Sequence, residues 1–224
     1  MPFFKLTCAS SLLAVTLLSA CSQSPTKNTD NTSDRTHSGG TSEITENNVS
    51  YTATPNPYLN NPVKASANAK QRFKKALAYM QNEQWQAAII DFNTLIQDFP
   101  ELSGPYLNIG IAYRKIDQTD KAITSFNKAI NANELNVFAY NQLALLQRQE
   151  GDFQAALENY QQALKIWPDY YDANLNIGIL YDLYFGDKNL ALNHYLKAEK
   201  LIPSPSRKLR GWIVDLQRQQ ARGQ

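Results

Sequence analysis

The sequence predicts an all-α fold: a solenoid of four stacked helix-turn-helix units closed by a terminal helix. Three observations carry this. Residue types recur at a fixed spacing of 34, small residues alternate with large ones at the same offsets in each unit, and Gly-Asp pairs punctuate the periodic segments. Self-similarity at a period of roughly 20–50 residues marks a repeat architecture and outranks local propensity.

The first element is an address. Lys5 opens the chain, an apolar run follows from Leu12 to Leu18, and small residues Ser19 and Ala20 come next, so residues 1–20 read as a signal peptide. The run is too short to span a bilayer, which takes about 20 apolar residues. Leu18-Ser19-Ala20-Cys21 resembles the lipobox of bacterial lipoproteins. That resemblance implies that residues 1–20 are removed and that Cys21 becomes residue one, carrying covalent lipid. Ordinary secretion with an incidental cysteine is the alternative. A thioether-linked cysteine is inert, whereas a free thiol outside the cytosol is open to oxidation. The non-acidic Ser22 resembles the sorting rule for the outer membrane, so the expected location is a lipid anchor on the bacterial outer membrane, facing the periplasm.

Residues 21–66 are expected to be the lipidated Cys21 and a disordered linker, because Ser, Thr, Asn, Asp, Gly and Pro bury too little apolar surface to offset ordering entropy. Flexible-chain scaling gives it a reach of roughly 35–40 Å. Val49-Ser50-Tyr51-Thr52 has strand propensity but no visible partner strand, and Pro55, Pro57 and Pro62 stiffen the approach to the first helix.

The repeats follow over residues 67–205, with units at 69–102, 103–136, 137–170 and 171–205. In the first helices Ile109, Leu143 and Ile177 correspond, as do Gly110, Ala144 and Gly178. Tyr113 answers Tyr181, with Gln147 between them. In the second helices Ala122 answers Ala156, Phe126 answers Tyr160, and Ala129 answers Ala163. One extra residue before Gly186 shifts the last unit, after which Ala191, Tyr195, Ala198 and Pro203 fall in place. Ala76, Tyr79, Ala88, Phe92 and Pro100 mark the first unit. Gly inside a helix costs about 1 kcal/mol relative to Ala unless a neighbour packs against it. The small column therefore predicts close helix approach, with the large residues filling the space beside it. Gly151-Asp152 and Gly186-Asp187 supply a helix stop and then a start.

This pattern resembles the tetratricopeptide repeat, over about 137 residues. The departures are Lys75 and Leu95 in the first unit, where the family prefers an apolar residue and Ala, and Glu134 in the second, where it usually has Pro. Residues 206–224 form the last element. Ser204-Pro205-Ser206 marks a helix start, and Leu209, Trp212, Ile213 and Leu216 recur on one face. This reads as a cap over the last repeat, with a membrane-surface helix as the rival.

The sequence excludes several function classes. The net charge of +2 lacks the concentrated cationic surface that nucleic acid needs. Its two cysteines, Cys8 and Cys21, precede the folded part, so that part holds no disulfide or cysteine metal site. His37 and His194 are too scattered for a metal cluster. No P-loop, GxSxG or HExxH occurs. Asp182 and Asp187 read as surface or capping acids, His194 as a packed or surface residue, and Trp85 and Trp167 as packing residues. No catalytic residue, metal or small-molecule substrate is expected, and no cofactor beyond the lipid on Cys21.

What remains is a scaffold or adaptor that docks a protein partner. Segments such as Ile179-Leu180-Tyr181-Asp182-Leu183-Tyr184 and Trp212-Ile213-Val214-Asp215-Leu216 look like repeat lipoproteins that assist type IV pilus or secretion-machine assembly. The alternative is an envelope-biogenesis adaptor for outer-membrane assembly factors or cell-wall enzymes, and a lesser one is an accessory to an enzyme. By the resemblance, the first helices line a concave face that binds partners. Asn108, Gln142 and Asn176, spaced 34 apart, would form a row of amides able to pair with an extended peptide backbone. Arg114 and Arg148 would add positive charge for a carboxylate. Leu107, Asn141, Leu145, Leu175 and Ile179 are expected on the same face. The plainer alternative is that the amides stabilise neighbouring helices and the arginines are solvated.

Overall fold

The computed structural model describes residues 51–222; residues 1–50 and 223–224 lie outside the described part. The expected signal peptide, Cys21 and most of the expected linker therefore fall outside it. Among the described residues there are ten α-helices, one π-helical turn and no strand.

A short helix α1 (Pro57–Asn60) comes first. Four antiparallel pairs then follow: α2 (Ala67–Gln81) with α3 (Trp85–Asp98), α4 (Ser103–Lys115) with α5 (Thr119–Ala132), α6 (Val137–Glu150) with α7 (Phe153–Ile166), and α8 (Tyr171–Leu180) with α9 (Lys188–Lys200). The helix α10 (Arg207–Arg222) ends the array. The first helices of the four pairs begin at residues 67, 103, 137 and 171.

Local signals account for the helix ends. Ser66, Asn136, Asp152 and Asp187 each accept a hydrogen bond from the backbone N–H three residues on, satisfying a donor that the first helical turn leaves free. The turn within each pair places one residue in the left-handed region: Glu83, Asp117, Gly151 and Gly186, with φ of 57°, 57°, 87° and 73°. Glycine adopts this without steric cost, whereas at Glu83 and Asp117 the following N–H closes the helix end, Gln84 to the Tyr79 carbonyl at 2.8 Å and Gln118 to the Tyr113 carbonyl at 2.9 Å. The extra residue of the last unit is absorbed by a π-helical turn at Tyr181–Phe185, which lengthens one turn and restores register before Gly186.

The small column packs as its spacing predicts. A Cβ added to Gly110 would stand 2.4 Å from the Phe126 ring, and one added to Gly178 would stand 2.5 Å from Tyr195. Phe92, Phe126, Tyr160 and Tyr195 are fully buried, with the alanines at 76, 88, 122, 144, 156 and 191. Leu95 also joins the core, while Lys75 turns outward and pairs with Asp91 at 2.9 Å. Helix α10 lays Leu209, Ile213 and Leu216 over α9, with Trp212 stacked on Tyr195 at 5.3 Å.

One region departs from expectation. The last part of the expected disordered linker, residues 51–66, has a defined course. It is extended to Asn56, forms α1, and is pinned to residues 113 to 118 away in sequence. The linker composition is polar, as disorder requires, but Tyr51, Thr54 and Tyr58 find partners on the repeats that local composition does not reveal.

Candidate functional site

Successive first helices touch one another, α4 with α6 and α6 with α8, whereas α3 with α5 and α5 with α7 approach less closely. The array therefore curves with α2, α4, α6 and α8 on its inner side. That inner face is the candidate site, and it has two halves.

The near half lies at the N-terminal ends of the first helices and is occupied by residues 51–60 of the same chain. Asp169, only 5% exposed in the turn after α7, accepts hydrogen bonds from the Tyr51 hydroxyl (2.5 Å), the Thr54 backbone N–H (2.7 Å) and the Thr54 hydroxyl (2.8 Å). Burial opposes its charge, but these donors and Lys197 outweigh it and hold the carboxyl below its usual range. The Trp167 indole N–H donates to the Thr54 carbonyl at 2.8 Å. Farther along, Tyr58 meets Phe138 edge-on at 5.9 Å, and Phe138 meets Tyr170 in the same way at 5.7 Å. The Tyr58 hydroxyl lies beside Ser103 and Gly104; burial pushes its pKa up, and the Ser103 hydroxyl partly offsets this. Ser103 in turn accepts from the buried Asn136 side chain.

The far half is built round Arg114 and Arg148, near the C-terminal ends of α4 and α6, with Gln142 earlier on α6 and Tyr160 on α7. Arg114 Nε, Arg148 Nη1, Gln142 Oε1 and the Tyr160 hydroxyl are buried atoms with no hydrogen-bond partner. Neither arginine makes an ion pair among the described residues. Burial lowers the Arg114 pKa and pushes the Tyr160 hydroxyl up to about 12, with Arg148 and Arg114 opposing the latter. The residue 34 positions beyond Arg148 is Asp182. It is already engaged: Lys188 sits at 2.6 Å, and the Tyr195 hydroxyl donates to it at 3.3 Å.

The amide row expected from the sequence is used in part within the protein. Asn108 donates to its own helix at the Gly104 carbonyl, 2.8 Å away. Asn141 is buried and accepts from Asn176 at 3.1 Å, tying α6 to α8. Gln142 alone of the three row amides offers an unpartnered buried atom. The expected apolar residues are half-buried. Leu107 packs toward Leu143 and Leu146, and Leu175 and Ile179 pack against the cluster of α9 and α10. They cement neighbouring helices before they offer contact to a ligand. His194 is a packed histidine stacked on Tyr181, its Nδ1 3.3 Å from Asn174 Oδ1, and burial lowers its pKa. Asp187 caps α9. Sequence reasoning missed Asp169 and gave Trp167 a packing role alone. The signal was present in Trp167-Pro168-Asp169, an indole donor and a carboxylate in one turn, but their partner segment was not inferable from it.

Residues 72–101, 104–134 and 137–170 each match a family model described as tetratricopeptide repeat. These three segments are tetratricopeptide repeats. The fourth unit, α8–α9, continues the tetratricopeptide array with the π-turn as its local irregularity. No curated protein sequence matches the chain. Among solved structures it is similar to the crystal structure of MamA, with a TM-score of 0.57 and 19% identity over 71% of this chain and 87% of MamA. It is also similar to pilF of Pseudomonas aeruginosa, with a TM-score of 0.61 and 13% identity over 69% of each chain. At such identities the likeness is one of fold. A tetratricopeptide array is a scaffold suited to protein–protein interaction. Among the described residues no cluster of metal-ligating side chains occurs, and no helix is long and apolar enough to cross a membrane.

Proposed function

We propose that this protein is a lipid-anchored adaptor of the bacterial envelope that holds an extended, acidic segment of a protein partner across its inner face, and that it acts by binding rather than catalysis. The observation that carries this is the set of unpartnered buried atoms in the far half: Arg114 Nε, Arg148 Nη1, Gln142 Oε1 and Tyr160 OH. Each such atom costs about 1–3 kcal/mol while unpaired. A carboxylate laid against the two half-buried guanidinium groups relieves their share of that cost through charge-assisted hydrogen bonds. Anchoring through Cys21 would place this surface in the periplasm, where assembly of the type IV pilus or a secretion machine is the reading the sequence resemblance favours.

The test is capture by crosslinking in solubilised envelopes. Proteins retained by the wild-type chain are expected to be lost with Gln142→Ala, Arg114→Glu and Arg148→Glu combined, at unchanged helicity. Retention of the same proteins by that variant removes the far half as the binding site. For the anchor, radiolabelled palmitate is expected on the wild-type chain and absent from Cys21→Ser; equal labelling of both refutes lipidation at Cys21.

A further inference from the structure

Trp167 and Asp169 do more than touch residues 51–60. They take both backbone polar groups of one residue. The Thr54 N–H donates to Asp169 Oδ2 at 2.7 Å, and the Thr54 carbonyl accepts from the Trp167 indole at 2.8 Å. Pro55 follows Thr54 and biases it toward an extended conformation, in which its N–H and C=O face the same side and can be met by one surface. The clamp supplies an acceptor for the one and a donor for the other from a single turn.

Its parts are positioned in advance. The Trp167 ring stacks on Tyr170 at 5.2 Å with 14° between planes, which fixes the direction of the indole N–H. Asp169 is almost wholly buried, yet all three of its hydrogen bonds come from residues 51–60; the repeats supply only Lys197, at 3.9 Å. With residues 51–60 displaced, both carboxylate oxygens of Asp169 are free to accept from another donor. The equivalent positions in the two preceding repeats, Phe99 with Glu101 and Asn133 with Leu135, lack this donor–acceptor pair. Side-chain selectivity surrounds the backbone contact. A hydroxyl meets Asp169 from Tyr51, three residues before Thr54, and an aromatic ring meets Phe138 from Tyr58, four residues after it.

We infer that the Trp167–Asp169 clamp is a peptide-recognition site for an extended Tyr-x-x-Thr-Pro segment, filled in cis by residues 51–58 and able to take the same motif from a partner chain once that segment is displaced. This site lies beside the Arg114–Arg148 half and does not depend on it. The few residues between α1 and α2 hold the cis segment at an effective concentration of about millimolar, so a trans ligand competes against that.

The experiment uses the full-length chain and a fluorescein-labelled peptide of residues 50–62 as probe. Tyr51→Ala with Thr54→Pro removes both hydroxyls and the clamped N–H from the cis segment and leaves the repeats untouched. This unseated chain is expected to bind the peptide at least roughly tenfold more tightly than wild type. Adding Trp167→Phe, which keeps the ring but deletes the donor, is expected to weaken that binding by roughly tenfold. Equal binding by wild-type and unseated chains overturns the inference. So does absence of binding to an unseated chain that keeps wild-type helicity and a cooperative melt. Partner capture through Arg114 and Arg148 is a separate readout, so either result leaves the other interpretable.

Discussion

The two halves of the inner face treat buried polar atoms in opposite ways. In the near half Asp169 has its oxygens filled by Tyr51 and Thr54, and Asn136 and Ser103 satisfy each other. Asn56 Nδ2 is the exception there. In the far half four buried atoms from Arg114, Gln142, Arg148 and Tyr160 stand without partners. Both halves belong to the same helices and the same repeat pattern, so the difference does not come from the scaffold. It comes from chain length to spare: residues 51–60 reach the near half and stop short of the far one. A repeat scaffold thus presents polar groups at fixed spacing, and what satisfies them is decided separately at each place.

The largest expected effect removes both halves together. Gly178→Leu drives a side chain into Tyr195, whose ring already lies 2.5 Å from the position of an added Cβ. Overpacking of this kind costs on the order of 1–3 kcal/mol. Thermal unfolding should shift down; an unchanged midpoint would show that α8 and α9 do not touch at this column. A smaller loss is expected from Asp169→Ala, which breaks the near half alone. Deleting the acceptor of three hydrogen bonds should cost about 1–2 kcal/mol, with hydrogen exchange rising over residues 51–60 and not over α4–α7. Protection that stays put over residues 51–60 would count against Asp169 as their anchor.

The far half should respond with the opposite sign. Arg114→Met with Arg148→Met keeps the apolar stems and deletes the buried, unpaired donors, and stability should rise by about 1 kcal/mol. A clear fall in the melting midpoint would mean the guanidinium groups have partners in solution, and the contrast between the halves would vanish. The smallest effect is on acidification. The Asp169 carboxyl is held below its ordinary range, so its contribution is complete above the unfolded-state pKa and is lost as pH falls through the folded one. The near half should stay closed at neutral pH and open only below the usual carboxylate range. The indole N–H resonance of Trp167 reports this, and its constancy down to about pH 2 would separate the clamp from Asp169 ionisation.

Much of the array was legible in the sequence because its signals repeat. Ile109, Leu143 and Ile177 share one environment, and so do Gly110, Ala144 and Gly178, so each instance reinforces the others. The Gly151-Asp152 and Gly186-Asp187 turns and the Ser206 cap of α10 are local chemistry and could be read directly. Of the candidate site, Arg114, Arg148 and Gln142 came from the same periodicity. Asn141 and Asn176 share that periodicity but face each other across α6 and α8, because the side chain's final direction depends on how closely the two helices pack.

The sequence by itself determined an all-helical repeat array with its small-and-large packing column and its terminal cap, since each rests on contacts within a unit or between neighbouring units. Only the tertiary structure decided three other things. The turns at Glu83 and Asp117 adopt left-handed geometry without glycine, because the flanking helices dictate the backbone there. The extra residue of the last unit became a π-turn rather than a longer loop. Tyr51 and Thr54 closed on Asp169 across 118 and 115 residues. A single contact at that separation leaves no period in the sequence, and its formation depends on the repeats first bringing Trp167 and Asp169 to the edge of the inner face.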